Sequence, residues 1–169
     1  MRLTIINTTL MNYKYLLLFV LFLGLSVNVS AQSNGVSSVL KAFLITMDGD
    51  NNEVATEVTE LKPGDTIEYR LTYHNGTNGD ISQLLPVLPI PLEMFYLGES
   101  ASPVLSGASI STLADDFKQP PLTRMVTLPD GSQVNRAIPA AEYRRIQWLV
   151  PALAAGESIT LTARVKVRS

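Results

Sequence analysis

The chain of 169 residues is 46% hydrophobic and 17% charged, with no cysteine, one histidine and a formal net charge of -2. This composition is typical of a single globular domain and excludes a disordered or fibrous chain. Without cysteine there is no disulfide framework, thiolate metal site, thiol nucleophile or lipid-modified cysteine, and one histidine excludes a multi-histidine metal centre.

The N-terminus has the pattern of a secretory signal peptide. A basic residue, Lys14, precedes an apolar run of 11 residues, Tyr15–Leu25, and small residues then lead to Ala31 and Gln32. The run is shorter than the roughly 20 residues that span a bilayer as a helix. We predict a signal peptide over residues 1–31, cleaved after Ala31, and therefore an exported protein in the periplasm or outside the cell. The alternative is an uncleaved membrane anchor.

Cleavage changes the charge of the chain. Removing residues 1–31 from the 169 leaves 138, and the loss of Arg2 and Lys14 reduces the 13 basic side chains to 11 against 15 acidic ones, for a net charge of -4. No basic cluster favours nucleic acid or an anionic membrane surface, and no second long apolar run predicts an anchor. We expect a polar lead-in at 32–37 and one soluble domain at 38–169.

The first half of this domain contains two well-marked strand signals. An apolar segment, Val39–Thr46, ends at the turn-forming run Asp48–Asn52. Thr66–His74 then alternates strictly between apolar and polar residues, as a half-buried strand does. Two Asn-Gly pairs at 75–79 favour tight turns, and the apolar segment Ile81–Leu88 follows them.

The second half is irregular in its middle and regular at its end. Arg145–Val150 and Ser158–Val167 both alternate, with the apolar residues on one face. The sequence between Leu88 and Arg145 predicts, in order, a short strand at Met94–Leu97, a weaker strand at Val104–Ile110, a loop at Leu113–Pro121 and a strand at Leu122–Leu128.

Short strands separated by glycine and proline favour an all-β antiparallel sandwich. No segment after the N-terminus shows an apolar period of 3.6 residues that would indicate a helix. The alternation predicts that five residues meet in the core between two sheets: Trp148, Tyr69, Leu71, Ile159 and Leu161.

Four segments in this order carry a family resemblance. They are Leu61–Asn75, with a Pro-Gly-Asp turn before a strand that ends in asparagine, Leu88–Leu92, with a Leu-Pro step, Tyr143–Trp148 and Leu153–Leu161. Together they resemble the bacterial conserved-repeat domain called domain of unknown function 11. The resemblance implies an immunoglobulin-like sandwich in exported bacterial proteins, often repeated in large surface proteins, with no common activity established.

Two features, an acidic run and the single histidine, are candidates for a metal site and a catalytic site. The run Asp48–Glu53 begins like a calcium loop, but an EF-hand needs glycine where Glu53 stands and glutamate where Thr59 stands. His74 is the single histidine, and no Gly-x-Ser-x-Gly turn supplies a serine nucleophile for it. We therefore predict a solvated turn and a surface histidine, with no metal, no cofactor and no catalytic residue.

Three other features have both a functional and a structural interpretation. Glycoside hydrolysis needs a pair of carboxylates, and the best candidates in this chain are Asp115, Asp116 and Glu142, which lie near predicted loops. We predict instead that all three are ordinary solvated side chains. Trp148 is predicted to anchor the core, the alternative being an exposed platform for stacking sugars. The sequon that begins at Asn75 has no role in a bacterial protein.

The sequence thus predicts a non-enzymatic bacterial module, structural or adhesive, that acts through a protein partner at the cell envelope. The alternative is a secreted carbohydrate-binding module or a glycoside hydrolase-like protein. We expect contact through the long segment Leu113–Glu142 or through an unpaired edge of Ser158–Val167. Arg164, Lys166 and Arg168 on that strand either guard the edge against aggregation or bind an acidic partner.

Overall fold

The computed structural model describes residues 35–113 and 116–168. The predicted signal peptide at 1–31 and the candidate Asp115 lie outside the described residues. Within them, no helix is long and apolar enough to span a membrane. The regular elements are one short 3-10 turn at Ala140–Glu142 and twelve strands, β1 to β12, at Val36–Met47, Glu53–Glu57, Thr66–Asn75, Ile81–Leu84, Val87–Pro89, Met94–Tyr96, Gly107–Ser109, Thr123–Thr127, Gln133–Ala137, Arg145–Gln147, Val150–Leu153 and Ser158–Val167.

The first sheet has five antiparallel strands in the order β2-β1-β3-β12-β6. Its centre is the long pair of β3 and β12, aligned so that Leu161 lies opposite Leu71 and Val165 lies opposite Ile67. All four of these side chains are buried. The two strictly alternating segments therefore form the predicted strands, because a strand with one buried face needs an apolar residue at every second position.

The second sheet is formed by interrupted strands. β10 lies between β5 and β7, and β11 pairs with β4. The segments predicted as single strands, 81–88 and 145–150, are each split in two, but the backbone N–H of Trp148 donates to the carbonyl of Pro86 at 3.0 Å across the gap. The two short ladders thus continue one another, and the predicted antiparallel sandwich is confirmed.

The core lies between the two sheets and contains the residues that the alternation placed there. Trp148, Leu71 and Leu161 are buried, while Tyr69 and Ile159 are partly buried and pack against the same cluster. Trp148 is 1% exposed, and its indole Nε1 donates to the carbonyl of Pro103 at 2.8 Å. Its burial contradicts the alternative interpretation of a sugar-stacking platform.

The predicted free edge of β12 is wrong. β6 pairs with the end of the strand, and an isolated bridge joins Ser102 to Thr162 on the same side. The loop after β6 continues along β12, with the N–H of Leu97 donating to the carbonyl of Arg164 at 2.9 Å. A central strand with long apolar alternation attracts partners on both sides, so the edge-guarding role proposed for its basic residues does not apply.

The strands β2 and β9 lack a sequence signal. All residues of β2 are exposed, and β9 buries none of its side chains fully. β2 is the edge of the first sheet, whereas β9 pairs with β8 in a separate ribbon of two strands. We call this ribbon, residues 123–137, the arm.

Candidate functional site

The outer face of the first sheet carries polar pairs across β3 and β12. His74 is exposed there, as predicted, and its Nδ1 lies 3.0 Å from the hydroxyl oxygen of Ser158. One pair further along, the hydroxyls of Thr72 and Thr160 lie 2.9 Å apart. Such cross-strand pairs stabilise a sheet, and their open position on a solvated face gives His74 a structural role.

Arg164 is the centre of an ion-pair network on the same face. Its guanidinium donates to both carboxylate oxygens of Glu53 at 2.8 and 2.7 Å and to Glu68 at 3.0 Å. Arg70 binds the other oxygen of Glu68 and covers the ring of Phe43 at 4.2 Å. The hydrogen bond from Arg164 lowers the pKa of the Glu53 carboxyl. Arg164 thus joins β2 and β3 to β12, and its charge is not displayed to an acidic partner.

The run Asp48–Glu53 is a hairpin turn between β1 and β2. The Asp48 carboxylate accepts the backbone N–H of Asp50 at 2.9 Å and that of Asn52 at 2.8 Å. These hydrogen bonds, above all that from Asn52, lower the pKa of Asp48. The side chain of Glu53 points to Arg164 instead of into the turn. Among the described residues no group of acidic or histidine side chains is arranged to hold a metal ion.

The remaining candidate carboxylates, Asp116 and Glu142, are each engaged by other side chains. Asp116 accepts a hydrogen bond from the hydroxyl of Ser109, which lowers its pKa, and lies 4.0 Å from Arg145. Glu142 binds a different cation, Arg124, at 2.6 Å. A general acid needs a raised pKa, whereas the surroundings of Asp116 favour the ionised form.

Asn75 is a buried structural residue whose role the sequence analysis missed. It is 0% exposed, and its amide nitrogen donates to the carbonyls of Gly79 at 2.8 Å and Leu153 at 2.9 Å. Its side-chain oxygen accepts from the backbone and the hydroxyl of Thr77 at 3.0 and 2.6 Å. The amide therefore ties the turn after β3 to the end of β11. The asparagine that ends the strand in the resemblance to the repeat family was the only signal for this role.

The arm is largely exposed along both of its strands. Every residue of β8 and β9 is exposed except Val126 and Val134, which are partly buried, and Met125 is 62% exposed. Buried Leu122 and Ile138 mark the base of the arm, where the N–H of Ile138 donates to the carbonyl of Leu122 at 2.7 Å. Both outer edges of the ribbon pair with no other strand that the structure describes.

A cavity of about 490 Å³ opens beside the base of the arm. Tyr96 and Tyr143 are nearly parallel there, with ring centroids 6.2 Å apart, and burial raises the pKa of Tyr96. The Tyr143 hydroxyl oxygen accepts the backbone N–H of Leu122 at 3.1 Å, which fixes the arm to this wall. Pro120 and Pro121, just before β8, also line the cavity.

Comparisons of the chain with protein-family models, with curated proteins and with solved structures find no match.

Proposed function

We propose that this chain is an exported bacterial β-sandwich module that acts by binding another protein at the cell envelope and not by catalysis. The proposal includes the resemblance to the conserved-repeat domain called domain of unknown function 11, with its immunoglobulin-like sandwich, because Leu61–Asn75 and Leu153–Leu161 carry its turns. The observation that carries the proposal is the arm, an exposed ribbon of two strands whose outer edges pair with no other strand within residues 35–113 and 116–168.

The physical reason is that a ribbon of two strands gains little from its own burial. An isolated hairpin is marginally stable in water, and its outer N–H and C=O groups are a template for a further strand. An extended segment of a partner that adds to this edge gains backbone hydrogen bonds and covers the exposed side chains, as in other cases of strand addition. The arm therefore supplies a contact surface without a reactive group.

The hydrogen-bond pattern identifies which backbone groups face outward. The pairs Leu122–Ile138 and Leu128–Ser132 are hydrogen-bonded, and hydrogen-bonded and non-hydrogen-bonded pairs alternate along an antiparallel ladder. Val134 therefore bonds to β8, whereas the N–H of Asn135 points away from it. The outer edge of β9 presents the backbone of Asn135 and of its neighbours two residues away.

Site-specific photo-cross-linking in the native host tests the arm as the contact surface. A photoreactive amino acid at Met125, which is 62% exposed, should form an adduct with one envelope protein, whereas the same group at Met47, which is 56% exposed on β1, should not. The substitution Asn135→Pro removes an outward N–H that makes no hydrogen bond to β8, and it should abolish that adduct with the melting temperature retained. Equal adducts at both positions, or an adduct that survives Asn135→Pro, contradict the proposal.

Export is tested separately by mass spectrometry of the protein recovered from the periplasm and the medium. The expected N-terminus is Gln32, because processing after Ala31 fits the signal pattern. An unprocessed, membrane-bound product contradicts export. Turnover of a glycan that disappears when Asp116 or Glu142 is replaced supports the hydrolase-like alternative instead.

A further inference from the structure

The cavity at the base of the arm has an apolar wall and a single charge. Beyond the two tyrosines and two prolines, its lining includes aliphatic side chains such as Leu105 and Ile138. Among the described lining residues Glu99 alone has a carboxylate, and none of the described lining residues is basic. Its volume of about 490 Å³ falls within the range of about 300–1,000 Å³ that is typical of ligand sites. A complementary ligand therefore combines an apolar stem with one positive charge.

Glu99 is available to such a ligand. The residue is exposed, and its carboxylate forms no ion pair or side-chain hydrogen bond with any residue in the described part of the chain. Other exposed carboxylates form ion pairs, such as Glu142 with Arg124 and Glu53 with Arg164. Glu99 therefore leaves a charge at the cavity that the protein itself does not neutralise.

The backbone at Glu99 has a conformation that favours glycine. Its φ is 61°, in a turn closed by the N–H of Ser100 donating to the carbonyl of Leu97 at 3.3 Å. At the neighbouring Gly98 space is tight, because a Cβ there would lie 3.1 Å from that of Ala140. A left-handed residue other than glycine costs about 1 kcal/mol or more. The chain thus places a carboxylate at the cavity where glycine would be less strained.

We propose that this cavity binds an arginine side chain of the partner protein, with the guanidinium on Glu99 and the apolar stem against the tyrosines and prolines. Arginine fits better than lysine, because its planar group forms paired hydrogen bonds with a carboxylate and stacks on flat side chains. The position at the base of the arm lets a segment that adds to the arm reach the cavity. This inference rests on the proposed function and names the chemistry of the partner.

Titration of the full-length chain with a blocked Gly-Arg-Gly tripeptide, followed by NMR, tests the site. The amide signals of Ala101 and Ala140, both in the cavity lining, should shift with the arginine peptide. The isosteric citrulline peptide lacks the charge and should bind at least about tenfold more weakly, as expected for the loss of a charge-assisted hydrogen bond. Equal binding of the two peptides overturns the inference. Tighter binding of n-propylguanidinium, which is the arginine side chain without a peptide backbone, than of the tripeptide overturns the assignment to a protein partner.

Four variants separate binding from stability. Glu99→Gln should weaken binding of the arginine peptide about tenfold, and Glu99→Gly should do the same while it raises the melting temperature. The matched control is Gln83→Gly, which relieves a similar φ of 53° away from the cavity and should leave binding unchanged. Val104→Arg, at a lining position that is 87% exposed, should block the site with an internal guanidinium. Full affinity in Glu99→Gln contradicts the inference.

The proposed function and this inference fail in different ways. Suppose that the adduct at Met125 forms, but that Glu99→Gln changes neither the affinity for the arginine peptide nor the yield of the adduct. The module then binds a partner through the arm, and the cavity does not bind arginine. If no adduct forms at Met125, the proposed contact surface itself is wrong, and binding of the free tripeptide then describes a site without that partner.

Discussion

Replacement of Trp148 tests the packing of the whole sandwich. The side chain is 1% exposed between the two sheets, and truncation of a large buried aromatic to alanine costs about 3–5 kcal/mol. The variant also leaves the carbonyl of Pro103 without the indole N–H at 2.8 Å. Typical domains are stable by only about 5–15 kcal/mol, so Trp148→Ala removes a large part of the free energy of unfolding.

Urea unfolding followed by far-UV circular dichroism measures this loss without relying on the single tryptophan. With a typical urea slope of about 2 kcal/mol per molar, a loss of about 4 kcal/mol lowers the midpoint by about 2 M. Trp148→Phe keeps an aromatic ring in the core but loses the N–H and part of the buried volume, so it should cost about 1–3 kcal/mol, less than Trp148→Ala. Leu149→Ala, at a neighbouring residue that is 49% exposed, should cost less than about 1 kcal/mol.

The order of these three variants is the test. An unchanged midpoint in Trp148→Ala refutes the placement of this residue between the sheets. A midpoint of Leu149→Ala below that of Trp148→Ala reverses the assignment of the two faces at the break between β10 and β11. An unchanged slope is required in each case, because a changed slope indicates a change in the surface exposed on unfolding.

Three further predictions concern polar groups. Asn75→Ala removes the side-chain hydrogen bonds to Gly79, Thr77 and the buried carbonyl of Leu153. It should lower the stability by about 3 kcal/mol or more in the same urea assay; a change below about 1 kcal/mol contradicts that role. Because the pKa of Glu53 is lowered in the fold, its stabilising effect is complete above the ordinary carboxylate pKa near 4.3 and is lost as the pH falls through the folded-state value. Melting temperatures below about pH 4.5 should therefore fall less in Glu53→Gln than in the parent, and an equal fall is evidence against the ion pair with Arg164. A chelator should leave the melting temperature unchanged, since backbone N–H groups already occupy the Asp48 carboxylate, and a drop indicates a bound ion.

The sequence predicts the central strands well because their burial is one-sided. In β3 and β12 every second residue faces the core, so that the polar and apolar residues alternate from Thr66 to His74 and from Ser158 to Val167. The paired segments of the second sheet also carry an apolar signal, but the sequence does not show the break near Pro86 and Trp148. The hydrogen bond that crosses that break depends on the tertiary alignment of two distant segments.

The strands that the sequence does not predict are held in place by backbone hydrogen bonds to the neighbouring strand. Glu53–Glu57 is exposed along its whole length, and its ladder to β1 follows from the tight turn at Asp48. Gln133–Ala137 is likewise positioned by the turn through Gly131, which has a φ of 82°. Neither strand buries a regular apolar face, so its sequence shows no hydrophobic period that would predict a strand.

The candidate site was predictable only in its location. The segment Leu113–Glu142 was expected to offer contacts, and it contains the arm and part of the cavity lining. Glu99 and Tyr96 lie far from it in sequence and join it only when β6 pairs with β12. A cavity built from separate segments leaves no local pattern, and the φ of Glu99 is visible only in the folded chain.

The other edges of the fold are better protected than the arm, which strengthens its assignment as the contact surface. β2 has glutamates at both ends, Glu53 and Glu57, and β6 is only three residues long. The edge of β7 is bridged by Lys118. Charges, short length and cover are the means by which sheets avoid accidental pairing. β9 has five residues with no proline and a single charge, Arg136. It therefore has the fewest features that oppose the addition of a strand from another protein.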